Sequence, residues 1–157
     1  MITTTTPGPA GPPGPPGGLL DFADFFALMP PDNAATVAPG TAVSFPHQII
    51  TSGGITRITA STFNLAAVGV YKVTFQVSVD ESGQLILTLN GGEVLNSVVG
   101  RATGTSQIVG VSLIQTSTPN TVLEVRNPAG NATALTLTPF AGGTRPVSAH
   151  LLVERLL

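Results

Sequence analysis

Residues 69–79 alternate without a break: Tyr71, Val73, Phe75, Val77 and Val79 are apolar, and Lys72, Thr74, Gln76 and Ser78 between them are polar. A period of two sends the two sets to opposite faces of a strand with one buried side, the mark of antiparallel β-structure. Asp80-Glu81-Ser82-Gly83 closes the run with turn residues. Residues 84–89 then alternate again, with Leu85, Leu87 and Leu89 on one face and Ile86 and Thr88 on the other. Asn90-Gly91 is the strongest short hairpin signal and leads into a further run at 93–99. Runs at 42–50 and 55–65 flank Thr51-Ser52-Gly53-Gly54, and runs at 106–116 and 121–126 form a pair across Ser117-Thr118-Pro119-Asn120. Residues 134–138 make a short run and 146–156 the last strand. About eight to ten closely spaced strands with no convincing long helix define an all-β sandwich or barrel. Residues 19–29 fit two periods, since Leu19, Phe22, Phe26 and Met29 would also share one face of a helix ending at Pro30-Pro31-Asp32-Asn33.

Ahead of this region, Gly8, Gly11, Gly14 and Gly17 occupy every third position, with Pro or Ala filling the places between them. Only Gly fits where three polyproline II chains meet at a common axis, so the spacing reads as a collagen-like tail. A stiff Pro-rich linker is the other reading of the same composition. These triplets are too few to hold a triple helix alone, and they require three chains to arrive together at residue 18. The chain therefore divides into residues 1–18, a Thr-rich start and collagen-like tail, and residues 19–157, a trimerising domain.

Charge points the same way. Only 9% of the 157 residues are Asp, Glu, Lys or Arg, against about 25% in an average globular protein. Burial against sister subunits explains so neutral a surface, because obligate interfaces resemble a divided core. A Thr/Ser/Gly-rich inert exterior is the alternative, and both can hold together. The net charge of −2 offers no basic field for nucleic acid. The absence of Cys excludes disulfides, zinc–thiolate sites and thiol catalysis. No apolar run of about 18 residues exists to insert into a membrane as a helix, and residues 1–6 do not read as a signal peptide.

The order of these features resembles a known family. Thr59-Ala60-Ser61-Thr62-Phe63 followed by Gly69-Val70-Tyr71-Lys72-Val73-Thr74-Phe75 is similar to the T-x-x-F … G-x-Y-x-F signature of the C1q and tumour-necrosis-factor-like jelly rolls. The nearer resemblance is to the C-terminal domain of the collagen-like glycoproteins of Bacillus and Clostridium spore coats and exosporium. In those proteins short Gly-X-Y tails run into a low-charge, Thr-rich jelly roll. Residues 85–91, Ser117-Thr118-Pro119 and Ala149-His150-Leu151-Leu152-Val153-Glu154 look similar to that group. The resemblance covers essentially the whole chain. It departs in having Tyr71 as its only Tyr and in lacking a recognisable exosporium-targeting leader. It implies a ten-stranded jelly roll of two sheets, homotrimeric, with one sheet around the threefold axis and the first and last strands side by side. It also implies that residues 22–29 are the first strand.

Few residues suggest chemistry. His47 and His150 are the only imidazoles. The resemblance would make the early strand carrying His47 a neighbour of the last strand, giving a pH-sensitive pair; two unrelated surface side chains is the preferred reading. Asp80-Glu81 is a loop carboxylate pair, but calcium takes six to eight oxygens, and no further acids cluster in sequence nearby. A solvated turn is the preferred reading there too. Asp21, Asp24 and Asp32 read as solvent-facing charges, and no Ser lies in a G-x-S-x-G context. Asn131-Ala132-Thr133 is an N-glycosylation pattern on a loop, and Thr3–Thr6 would suit O-glycosylation of a stalk.

No catalytic residue, cofactor or metal is expected, and the chain is not read as an enzyme. The residues expected in the core or trimer interface are Tyr71, Val73 and Phe75, with Val111, Leu113, Leu151 and Val153 on neighbouring strands. The expected partner is a further copy of the chain, with a surface glycan or host protein as a second possibility. Neither nucleic acid nor membrane insertion is expected. The expected role is a structural head capping a collagen-like stalk at an extracellular surface, the spore exosporium. The alternative is a bacteriophage fibre tip or adhesin that uses the same head to bind a host glycan or protein.

Overall fold

A computed structural model describes residues 2, 4, 7–14 and 17–157. Thr3, Thr5, Thr6, Pro15 and Pro16 from the Thr run and the tail lie outside the described residues. Around Gly8, Gly11, Gly14 and Gly17 of a single chain, an added Cβ would meet nothing within 4 Å.

The domain contains eleven strands: β1 (Asp21–Met29), β2 (His47–Thr51), β3 (Ile55–Arg57), β4 (Phe63–Leu65), β5 (Val70–Val79), β6 (Gly83–Leu89), β7 (Gly92–Glu93), β8 (Val99–Arg101), β9 (Ser106–Gln115), β10 (Thr121–Arg126) and β11 (Val147–Arg155). One antiparallel sheet has the order β2-β1-β11-β5-β9; the second runs β3-β4-β10-β6-β7, with β8 also paired to β6. Between them lies one core, which includes Phe25, Phe45, Phe63, Phe75, Leu85, Leu123, Leu151 and Val153. Phe63 links the layers, its ring 4.6 Å from that of Phe25 and 6.2 Å from that of Phe45.

The ambiguous segment at 19–29 is a strand. Ala23, Phe25, Ala27 and Met29 are buried at a period of two, so the face shared by Phe22 and Phe26 is not the buried one. Tyr71, Val73, Phe75, Val77 and Val79 all point into the core, as the alternation of β5 dictates. At the β6–β7 hairpin, Asn90 and Gly91 both have positive φ, 50° and 83°. This is the mirror-image turn whose twist suits two antiparallel strands, and Asn-Gly adopts it at least cost.

Other runs break where the chain changes sheet. The run expected at 42–50 becomes a strand only from His47. Before Pro46, Val43 N–H bonds Val125 O and Phe45 N–H bonds Ala60 O, so residues 43–45 belong to the opposite layer. The run at 55–65 splits into β3 and β4 around a tight turn closed by Ile58 N–H to Thr62 O. The run at 93–99 is interrupted by a short 3-10 turn, Leu95–Ser97. There Ser97 Oγ accepts from Leu87 N–H at 2.9 Å and donates to Val94 O at 2.7 Å. The runs at 106–116 and 121–126 do not pair with each other. Instead β9 pairs with β5 and β10 with β4 and β6, so residues 117–120 cross between layers.

Phe75 faces Gly110 across the β5–β9 ladder. A Cβ at Gly110 would collide with the Phe75 ring, so this strand position requires Gly for close approach rather than for its dihedral freedom. Removing the buried ring leaves a cavity between the sheets. Phe75→Ala is expected to cost about 3–5 kcal/mol, and Gly110→Val to destabilise as well by displacing the same ring; denaturant unfolding of each variant measures both.

Candidate functional site

The outer face of the β2-β1-β11-β5-β9 sheet is an open surface whose composition departs from that of an ordinary solvated face. Register aligns its outward side chains in rows. His47, Phe26, His150, Gln76 and Val109 form one row across all five strands. Asp24, Leu152, Thr74 and Val111 form the next, and Phe22, Glu154, Lys72 and Leu113 the third. Among these rows Lys72 Nζ lies 3.0 Å from Glu154 Oε2, and His150 Nδ1 3.2 Å from Asp24 Oδ1. At the β9 edge, Val111 and Leu113 are each 59% exposed, and Val109 is 51% exposed.

The residues expected in the core or interface therefore fall into two groups. Tyr71, Val73 and Phe75 on β5, with Leu151 and Val153 on β11, are buried within the chain. Val111 and Leu113 do not join that core, because the alternation of β9 buries Ile108 and Ile114 and turns Val109, Val111 and Leu113 outward. Burial lifts the Tyr71 phenol above its usual pKa against the opposing pull of the Arg155 guanidinium, and its hydroxyl donates to Ala67 O at 2.7 Å.

The two imidazoles are not direct neighbours, since β1 lies between β2 and β11. Phe26 separates them, its ring 5.1 Å from that of His47 and 6.2 Å from that of His150. Asp21 at the tail end of β1 and Asp32 beyond its far end are both engaged rather than merely solvated. Asp21 accepts from Ser52 Oγ at 2.9 Å and lies 3.4 Å from Arg155 Nη1. Asp32 Oδ2 accepts from Leu28 N–H at 2.8 Å and from His47 Nε2 at 2.7 Å.

The other end of the sandwich carries the turn at residues 80–82. Asp80 and Glu81 are spent on holding residues 136–138: Thr138 Oγ1 donates to Asp80 Oδ1 at 2.7 Å, and Thr136 donates to Glu81 from N–H and Oγ1, each at 2.6 Å. Among the described residues no group of three or more His, Asp or Glu side chains is placed to hold a metal ion. Burial raises the Glu81 pKa, but the Thr136 hydrogen bonds, with help from Arg101, outweigh it and hold the carboxyl below its ordinary value. A carboxyl depressed in the folded state contributes stability above its unfolded pKa and loses it as pH falls through the folded value. Glu81→Gln is accordingly expected to flatten the acid limb of the stability profile, read from thermal melts between neutral and acid pH.

No protein-family model matches the chain, and no curated protein matches it. Solved structures do. The globular domain of zebrafish complement 1qA protein superposes with a TM-score of 0.58 at 11% identity, covering 87% of this chain and 96% of that one. Murine APRIL at pH 8.0 gives 0.58 at 13% identity, covering 86% and 99%; at pH 5.0 it gives 0.57 at 15%, with the same coverage. The fold is the C1q/TNF-like jelly roll. At these identities the likeness is one of architecture, and it extends over 86–87% of this chain.

Proposed function

We propose that this chain is the head of a homotrimeric surface protein, and that the open face of the five-stranded sheet is where its copies meet. The observation that carries this reading is the exposed Val109, Val111 and Leu113 stripe at the β9 edge, beside a face on which Lys72 is already paired with Glu154. A stripe at one edge suits a head-to-tail contact, in which β9 of each copy packs on the sheet of the next and the ring closes after three. The trimeric habit implied by the family resemblance and the Gly-X-Y tail support the number three.

The stalk follows from the position of the first strand. Leu20 N–H bonds Arg155 O at 3.1 Å, so the tail enters at the sheet end where β11 finishes. Three associated heads would present three tails side by side. Zipping then becomes intramolecular, at a far higher effective concentration than free chains achieve. The site of action proposed is the bacterial spore or exosporium surface, with a structural role and no reaction.

The full chain is expected to run at three times its 15.9 kDa mass in light scattering. Val111→Glu combined with Leu113→Glu should lower that mass to one chain while leaving the β-sheet circular dichroism intact. A wild-type chain of single mass refutes the assembly. Labelled antibody on intact spores tests the location.

A further inference from the structure

Away from the sheet face, the loops at the end opposite β1's entry border an open pocket of 570 Å³, formed by the 82–84, 100–102 and 131–133 segments. This end is fixed by topology: β5 starts beside the chain ends and finishes at Val79, next to Ser106. The pocket belongs to one chain and does not require the assembly proposed above.

Its lining is chemically specific. Ser82, Gln84, Asn131 and Thr133 supply hydroxyls and amides, and Arg101 is its one charged group. The side chains of Ser82, Gln84 and Thr133 make no hydrogen bond to another described residue, whereas Asn131 Nδ2 is committed to Asn127 Oδ1 at 3.1 Å. The remaining lining residues are Gly or Ala. At Gly100 the backbone lies so close to β6 that a Cβ would come 2.8 Å from Gly83 O, so part of the wall is bare backbone.

Arg101 is anchored by three backbone carbonyls. Nη1 donates to Thr103 O at 2.9 Å, and Nη2 donates to Val79 O and Glu81 O, each at 2.6 Å. A guanidinium has five N–H donors. Those three bonds leave one Nη1 proton and the buried Nε without a partner among the described residues. None of the ion pairs in the domain includes Arg101, and the Glu81 carboxylate is turned to Thr136. The pocket is thus lined by one positive charge that makes no salt bridge and acts on the Glu81 carboxylate only at longer range, with unengaged hydroxyls and an amide around it.

From this arrangement we infer that the distal pocket is a binding site for an acidic sugar, a hydroxylated ring bearing a carboxylate. The hydroxyls and amides match a ligand rich in groups that both donate and accept, and Arg101 matches a single negative charge. An apolar ligand would leave these polar groups unpaired at a cost. A dianionic phosphate would face one cation where such groups are commonly held by several. The volume lies within the ordinary range for small-molecule sites, about 300–1,000 Å³.

Calorimetry of the full chain with glucuronate, and separately with glucose, tests the inference. Saturable glucuronate binding is expected, with glucose about tenfold weaker or more for want of the charge-assisted contact. Ala132→Trp, at an exposed wall position, should abolish binding without changing the melting temperature. Thr133→Val, which removes one hydroxyl at nearly constant volume, should weaken it several-fold and decides the matter if the Trp variant melts lower. No saturable glucuronate binding, equal affinity for glucose, or unchanged affinity when the wall variants are folded would overturn the assignment.

Discussion

The nine-residue ladder between β1 and β11 holds the architecture together. It runs without a slip from Asp21 opposite Arg155 to Met29 opposite Val147, joining segments more than a hundred residues apart. Closing so long a loop is entropically unfavourable and must be recovered by what the ladder buries. Ala23, Phe25, Ala27 and Met29 from one strand and Ala149, Leu151 and Val153 from the other are all shut into the core. With β11 set between β1 and β5, the order of the whole sheet is determined, and so is the placement of Phe26 between two imidazoles that sequence separation alone would not relate.

The shortage of charge takes on meaning in this frame. A sheet with one solvated face normally shows alternating polar residues outward. Here the outward rows hold Phe26, Leu152, Val109, Val111 and Leu113 among amides, hydroxyls and ion pairs. The opposite sheet handles polarity differently. On β6, Ile86 and Thr88 are shut away from water along with Leu85 and Leu87, and Thr88 Oγ1 donates to Glu124, which Arg126 neutralises at 2.6 Å. The two exteriors are therefore unequal: one has its polar groups consumed internally, and the other offers apolar surface at an edge.

Much of the fold was readable from periodicity. The strict alternation at 69–79 placed β5 and its buried side chains, and Asn90-Gly91 placed a turn, because each depends on local backbone geometry alone. What periodicity misread or left open shares a cause. Residues 106–126 look like a hairpin because turn residues separate two β-runs, yet a loop crossing between layers uses the same residues. Val111 and Leu113 are apolar like any core residue, and only the register of β9 against β5 shows that they face outward. In the same way, 19–29 satisfied helical and strand periods together, and the choice was settled by pairing with residues at the far end of the chain. The distal pocket was invisible for a related reason. Ser82, Arg101 and Thr133 come from three separate segments with no shared motif, and Asn131-Ala132-Thr133 read only as a modification pattern.

One feature of the β1–β11 pairing governs how such a molecule can change. Because the strand that begins the domain starts where the strand that ends it finishes, at one end of the sandwich, anything appended at either terminus hangs beside the tail. The far rim is made wholly from internal turns, whose backbones lie outside the closing ladder. Those turns can be lengthened or rewritten residue by residue while the scaffold keeps its register, so this architecture can acquire new surface specificities without rebuilding its foundation.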